Sequence, residues 1–212
     1  MNFYILAFLL HPIAIGFTSI AIGLPVTQSS PLPDSQPERK RDKTGTANIV
    51  FKSTDSGKTW KLLPAGGLGG KMVGSNGVLL TTGARGIMRS TDDGENWYWV
   101  IREGGVGIEV AQINGGFAAI TYSLASNTRR VRTSYDGGKT WQPIDAGLPA
   151  QLSIASIIEV GENFFCGHPK GIYRSTDKGK TWKLLLRSIE GKVFNLSVSG
   201  NVIYAIPRDG GC

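Results

Sequence analysis

The chain has 212 residues, of which 29 are Gly and five are Trp; 18% are charged and the formal net charge is +7. That length suits one well-buried domain, and frequent Gly between short apolar runs excludes a helical bundle in favour of an all-β chain rich in turns. The positive charge favours acidic partners, but no stretch interleaves aromatic and basic residues as a nucleic-acid groove does, so no nucleic acid is expected among the partners.

In chain order, residues 3–26 come first, "FYILAFLLHPIAIGFTSIAIGLPV", with no Asp, Glu, Lys or Arg. The stretch is long enough for a membrane-spanning helix. It also reads as a signal peptide, with small residues Ala21 and Gly23 placed for cleavage after Gly23 but without a basic n-region. Residues 1–26 are therefore a signal peptide or a membrane anchor. Residues 27–46, "TQSSPLPDSQPERKRDKTGT", are Pro- and Ser-rich, charged and aperiodic, which predicts a flexible linker. Either reading has the remainder, 47–212, exported: secreted, periplasmic or membrane-anchored.

From residue 47 the chain repeats itself. "STDSGKTW" at 53–60 returns as "STDDGENW" at 90–97, "SYDGGKTW" at 134–141 and "STDKGKTW" at 175–182, so the boxes start 37, 44 and 41 residues apart. Each has a β-like run on both sides, for example "GIMRS" (86–90) and "WYWVI" (97–101), or "GIYRS" (171–175) and "WKLLL" (182–186). Each box is thus a hairpin turn. Asp55, Asp92, Asp136 and Asp177 are placed to accept N–H bonds from the residues that follow. Gly57, Gly94, Gly138 and Gly179 supply a positive φ. Trp60, Trp97, Trp141 and Trp182 open the next strand and offer apolar surface to a neighbouring sheet. Further strands fall between boxes: 107–113, 116–122, 153–160 and 163–168. Four antiparallel strands per period of about 40 residues describe a propeller blade.

This pattern resembles the Asp-box, or BNR, repeat of sialidases, sortilin-type receptors, the photosystem II stability and assembly factors and some xyloglucan-cleaving hydrolases. The second box departs from it, with Glu95–Asn96 in place of Lys–Thr. The resemblance implies an all-β propeller of four-stranded blades, with structural boxes remote from any active site. A strand at 47–53 before the first box, and strands at 192–199 and 201–207 after the last full blade, add up to sixteen strands. These make either four blades, closed by pairing of the chain ends, or part of a larger propeller.

The connections on the face opposite the boxes carry Arg85, Arg129, Arg130, His168, Lys170 and Arg208, a basic rim suited to carboxylates or sulfates. The expected function is an exported, non-enzymatic propeller that binds a protein or an anionic glycan there. The alternative is a degenerate or fragmentary sialidase-type glycoside hydrolase. The Arg-Ile-Pro motif that begins sialidase catalytic domains is absent, and no catalytic residue, cofactor or metal site is expected. Cys166 and Cys212 form either a disulfide or one buried thiol and one free terminal thiol.

Overall fold

The computed structural model describes residues 50–63 and 68–210, which are all-β and contain no helix. The expected anchor or signal segment, the linker and Cys212 lie outside the described residues. The strands are β1 (Val50–Lys52), β2 (Lys61–Leu63), β3 (Leu68–Ser75), β4 (Val78–Gly83), β5 (Gly86–Ser90), β6 (Tyr98–Ile101), β7 (Gly104–Ile113), β8 (Gly116–Ser123), β9 (Thr128–Ser134), β10 (Gln142–Pro143), β11 (Ser156–Val160), β12 (Asn163–His168), β13 (Gly171–Ser175), β14 (Lys183–Arg187), β15 (Val193–Ser199) and β16 (Val202–Arg208).

Consecutive antiparallel pairing gives three four-stranded sheets, β3–β6, β7–β10 and β11–β14, flanked by the two-stranded sheets β1–β2 and β15–β16. Each four-stranded sheet is one blade. Blades pack face to face because alternate residues of a strand point to opposite faces. On β8, Phe117 and Ala119 pack toward β3–β6 with Leu80, Ile87 and Val110. On the same strand, Ala118 and Ile120 pack toward β11–β14 with Ile157, Phe164 and Tyr173. β1–β2 adds Val50 to Leu68 and Met88, and β15–β16 adds Phe194 and Leu196 to Ile172.

The expected strand count and blade pattern are present; of the two arrangements expected, pairing of the chain ends is not made among the described residues. β1–β2 and β15–β16 stand as separate sheets among the described residues. Each half-blade is held by the one full blade beside it, and its other face is uncovered. Two boundaries also move. β7 begins at Gly104 rather than 107, through register shifts at Gly107. β11 begins at Ser156 rather than 153: Ala155 N–H still donates to Gly167 C=O of β12 at 2.9 Å, but Ile154 C=O accepts Arg129 Nη1 at 2.8 Å and Gln151 C=O accepts Arg129 N–H at 2.9 Å.

The four boxes share one hydrogen-bond plan. In the fourth, Ser175 Oγ donates to Asp177 Oδ1 at 2.8 Å and accepts Gly179 N–H at 2.7 Å. Asp177 also accepts Thr181 N–H at 2.9 Å and the Thr181 hydroxyl at 2.6 Å. The departure in the second box preserves the plan, since Asn96 Nδ2 donates to Asp92 Oδ2 at 2.7 Å where Thr serves elsewhere. The turn needs two successive left-handed residues. The first is Ser56, Asp93, Gly137 or Lys178, and the second is always Gly.

These bonds favour the carboxylate. The Thr59 and Thr181 hydroxyls hold Asp55 and Asp177 at about 2, below the usual 3.8. Burial pushes Asp136 upward, but bonds from Thr140 prevail and it too sits at about 2. A group with a depressed folded pKa stabilises the fold above its unfolded pKa and loses that contribution as pH falls through the folded value. Melting temperature should therefore drop as pH is lowered from about 3.8 to about 2, and Asp177→Asn should make the drop shallower. Melts that are flat over this window would refute the assignment.

Candidate functional site

Opposite the boxes, strands two and three of each blade are joined at Ala84–Arg85, at Leu124–Asn127 and at Pro169–Lys170. On this side the innermost strands of successive sheets line an open cleft of about 270 Å³. β3 gives Lys71, β7 gives Glu109, β15 gives Asn195, and the ends of β9 and β16 give Arg129, Arg208 and the adjoining Asp209.

Two of the six expected ligand residues, Arg129 and Arg208, meet in this cleft although 79 positions separate them. Arg129 is braced, its Nη1 donating to Ile154 C=O at 2.8 Å, and Arg208 is exposed. The carboxylates beside them are engaged. Glu109 lies 3.4 Å from Lys71 and Asp209 lies 2.5 Å from Lys192. Burial raises the Glu109 pKa against the pull of Lys71. The hydrogen bond from Lys192 lowers that of Asp209.

The other four expected residues are placed differently. Arg85 and Lys170 sit exposed on tight turns away from the cleft lining. Arg130 faces Asp145 with two bonds, Nε to Oδ2 at 2.6 Å and Nη2 to Oδ1 at 3.0 Å, so its charge is already matched. His168 is fully buried. Its Nδ1 accepts Lys170 N–H at 3.0 Å, which leaves Nε2 to donate to Pro149 C=O at 2.8 Å. Its ring meets Tyr173 edge-on at 5.0 Å. Burial lowers the His168 pKa and keeps the ring neutral, so it braces the turn at Pro169 rather than facing a ligand. Cys166 carries a free thiol buried among Ile157, Phe164 and Tyr173, two residues short of the end of β12. Burial raises its pKa well above the usual thiol value.

Lys71, Glu109 and Asn195 were not expected in the site. They lie on innermost strands, whereas the sequence pattern directs attention to loops. The usable signal was the repeat itself, because aligning the first strands of the blades puts these polar residues on the side nearest the centre.

Fold and turns together define a β-propeller protein built from Asp-box repeats. The BNR/Asp-box repeat model matches residues 132–143 and 173–184, which hold the whole of the third and fourth boxes. The structure is similar to an ancestral GH74 enzyme (TM-score 0.59, 18% identity), covering 78% of this chain and 25% of that one. It is similar to the GH74 xyloglucanase from Xanthomonas campestris (TM-score 0.55, 17% identity), covering 78% and 32%. It is also similar to YCF48 in a structure with a D1 peptide bound (TM-score 0.52, 21% identity), covering 77% and 58%. The chain thus spans less than two thirds of each of these proteins. No curated protein matches the sequence.

Proposed function

We propose that this propeller is a non-enzymatic binding module, working after export, that takes an acidic protein segment in the cleft at its loop face. The observation that carries the reading is the convergence of Arg129 and Arg208, from different blades, on one open cleft. Guanidinium groups suit carboxylates through paired N–H donors. YCF48, of similar fold, holds a peptide, which supports a protein partner over a glycan.

The test is calorimetric titration of the full chain with a glutamate-rich peptide and, separately, with heparin. Peptide binding should weaken as salt rises, and Arg129→Ala with Arg208→Ala should weaken it by about tenfold or more. Heparin binding alone would move the reading to an anionic glycan. Binding of neither, or binding indifferent to salt, would overturn it.

The hydrolase reading has its own support in the cleft, which is lined by two carboxyl groups, Glu109 and Asp209. Turnover of a fluorogenic sialoside or xyloglucan oligosaccharide that is lost in Glu109→Gln would favour it.

A further inference from the structure

The two ends of the described arc expose large apolar side chains at repeat positions whose apolar counterparts inside it pack against a neighbouring sheet. On the leading face, Phe51 and Leu62 are a cross-strand pair of β1–β2, 56% and 57% exposed. Counting from the boxes, their counterparts in the second and fourth are Met88 with Trp99 and Tyr173 with Leu184, which pack on the preceding sheet; in the third they are the buried Arg132 and the exposed Pro143. Trp60 of the first box is 63% exposed, whereas Trp97, Trp141 and Trp182 pack against core clusters. The box glycines say the same. A Cβ on Gly94 would meet Leu63, on Gly138 Leu80, and on Gly179 Ile144, each from the sheet before; on Gly57 it would meet only Trp60 of its own turn.

The trailing face is the complement. Tyr204 and Ile206 of β16 are 53% and 54% exposed. Their counterparts on β8, Ala118 and Ile120, are fully buried against the next blade. Leu185 and Leu186 of β14 are also exposed, at the places of Val100 and Ile101, which pack against the sheet that follows. One polar contact fits the same rule. Arg89 Nε donates to Gly137 C=O of the next box at 2.7 Å. Arg174 holds the position of Arg89, and the position of Gly137 in the first box is Ser56.

We propose that the leading face of a second copy of this chain docks on the trailing face of the first. The β1–β2 hairpin of the second copy adds to the free edge of β16 and completes a four-stranded blade. The register follows from the intact blades: Ser53 opposite Ile203, and Lys52 opposite Tyr204. Phe51 and Leu62 of the second copy cover Leu185 and Leu186, and Arg174 reaches the first box. The argument is continuity with the interfaces already inside the chain, which specify the shape of the missing cover. The chain's own hairpin is held on β3–β6 and leaves the β16 edge unpaired. Two copies that satisfy both ends of each other make a closed assembly with no half-blade left open.

The test is the solution mass of the full chain by light scattering across a dilution series, for wild type, Phe51→Asp and Leu186→Asp. Wild type should weigh two chains of 22.7 kDa. Each variant alone should weigh one chain, because every contact in its pair uses the altered face. An equimolar mixture should regain a two-chain species, because the trailing face of Phe51→Asp and the leading face of Leu186→Asp are both intact. Both sites are exposed in the single chain, so the variants should keep the wild-type circular dichroism and a cooperative melt, lowered only by the lost association; Tyr204→Arg serves in place of Leu186→Asp if that variant misfolds. A wild type that stays at one chain throughout, a dimer that survives both substitutions, or a mixture of folded variants that fails to pair would each overturn the proposal. The first outcome would mean closure within one chain or a different cover.

Discussion

Gly171→Ala should cost at least about 3 kcal/mol and remove most soluble protein. Gly171 begins β13 with φ +135, in a region that residues with a Cβ rarely enter, and an added Cβ would lie 1.9 Å from Leu186 C=O. That oxygen is backbone, so relief requires moving β14 off β13. Gly86 repeats the geometry in the first full blade, with φ +134 and Ile101 C=O at 1.9 Å. Both residues follow the short turn between strands two and three, the side where Arg85 and Lys170 project. Gly161→Ala is the control. Its φ is +60 and nothing lies within 4 Å of the added Cβ, so it should cost only about 1–2 kcal/mol. Urea denaturation of the two variants checks the ranking, and equal midpoints for Gly171→Ala and Gly161→Ala would contradict it.

Phe164→Ala should destabilise by about 3–5 kcal/mol, read as a lowered urea midpoint. Phe164 is fully buried in the cluster between β7–β10 and β11–β14, and deleting its ring leaves a cavity against Ile120 and Ile157. Phe51→Ala, an equal change in chemistry, should cost the single chain far less because Phe51 is exposed. Comparable losses from the two would show that the face of β1–β2 is covered in the single chain.

Much of the architecture was legible because a box determines itself. Its bonds run between residues two to four apart, so the local order of Ser, Asp, Gly and Trp suffices to locate a hairpin, and the spacing of the boxes then leaves room for two strands. Strands flanked by tight turns, such as β5, β12 and β13, fall where the sequence puts them. β7 and β11 do not, because bulges at Gly104 and Gly107 and the bond from Arg129 N–H to Gln151 are settled by tertiary packing. The site was half legible for the same reason. A loop arginine can be seen in sequence, but whether it faces an open cleft, as Arg208 does, or an aspartate fifteen residues on, as Arg130 does, depends on long-range geometry. His168 was visible as a lone histidine before a proline, and only burial shows both its nitrogens to be occupied.

The self-sufficiency of the box bears on how such a chain changes over generations. Each turn finds most of its polar partners within a few residues, and each sheet asks of its neighbours chiefly a matching apolar face with a few bonds such as Arg89 to Gly137. A stretch of gene spanning one period can be duplicated or deleted with its turn bonds intact. Length can therefore drift by whole blades while the turn chemistry stays fixed, and the residues free to diverge are those facing the cleft.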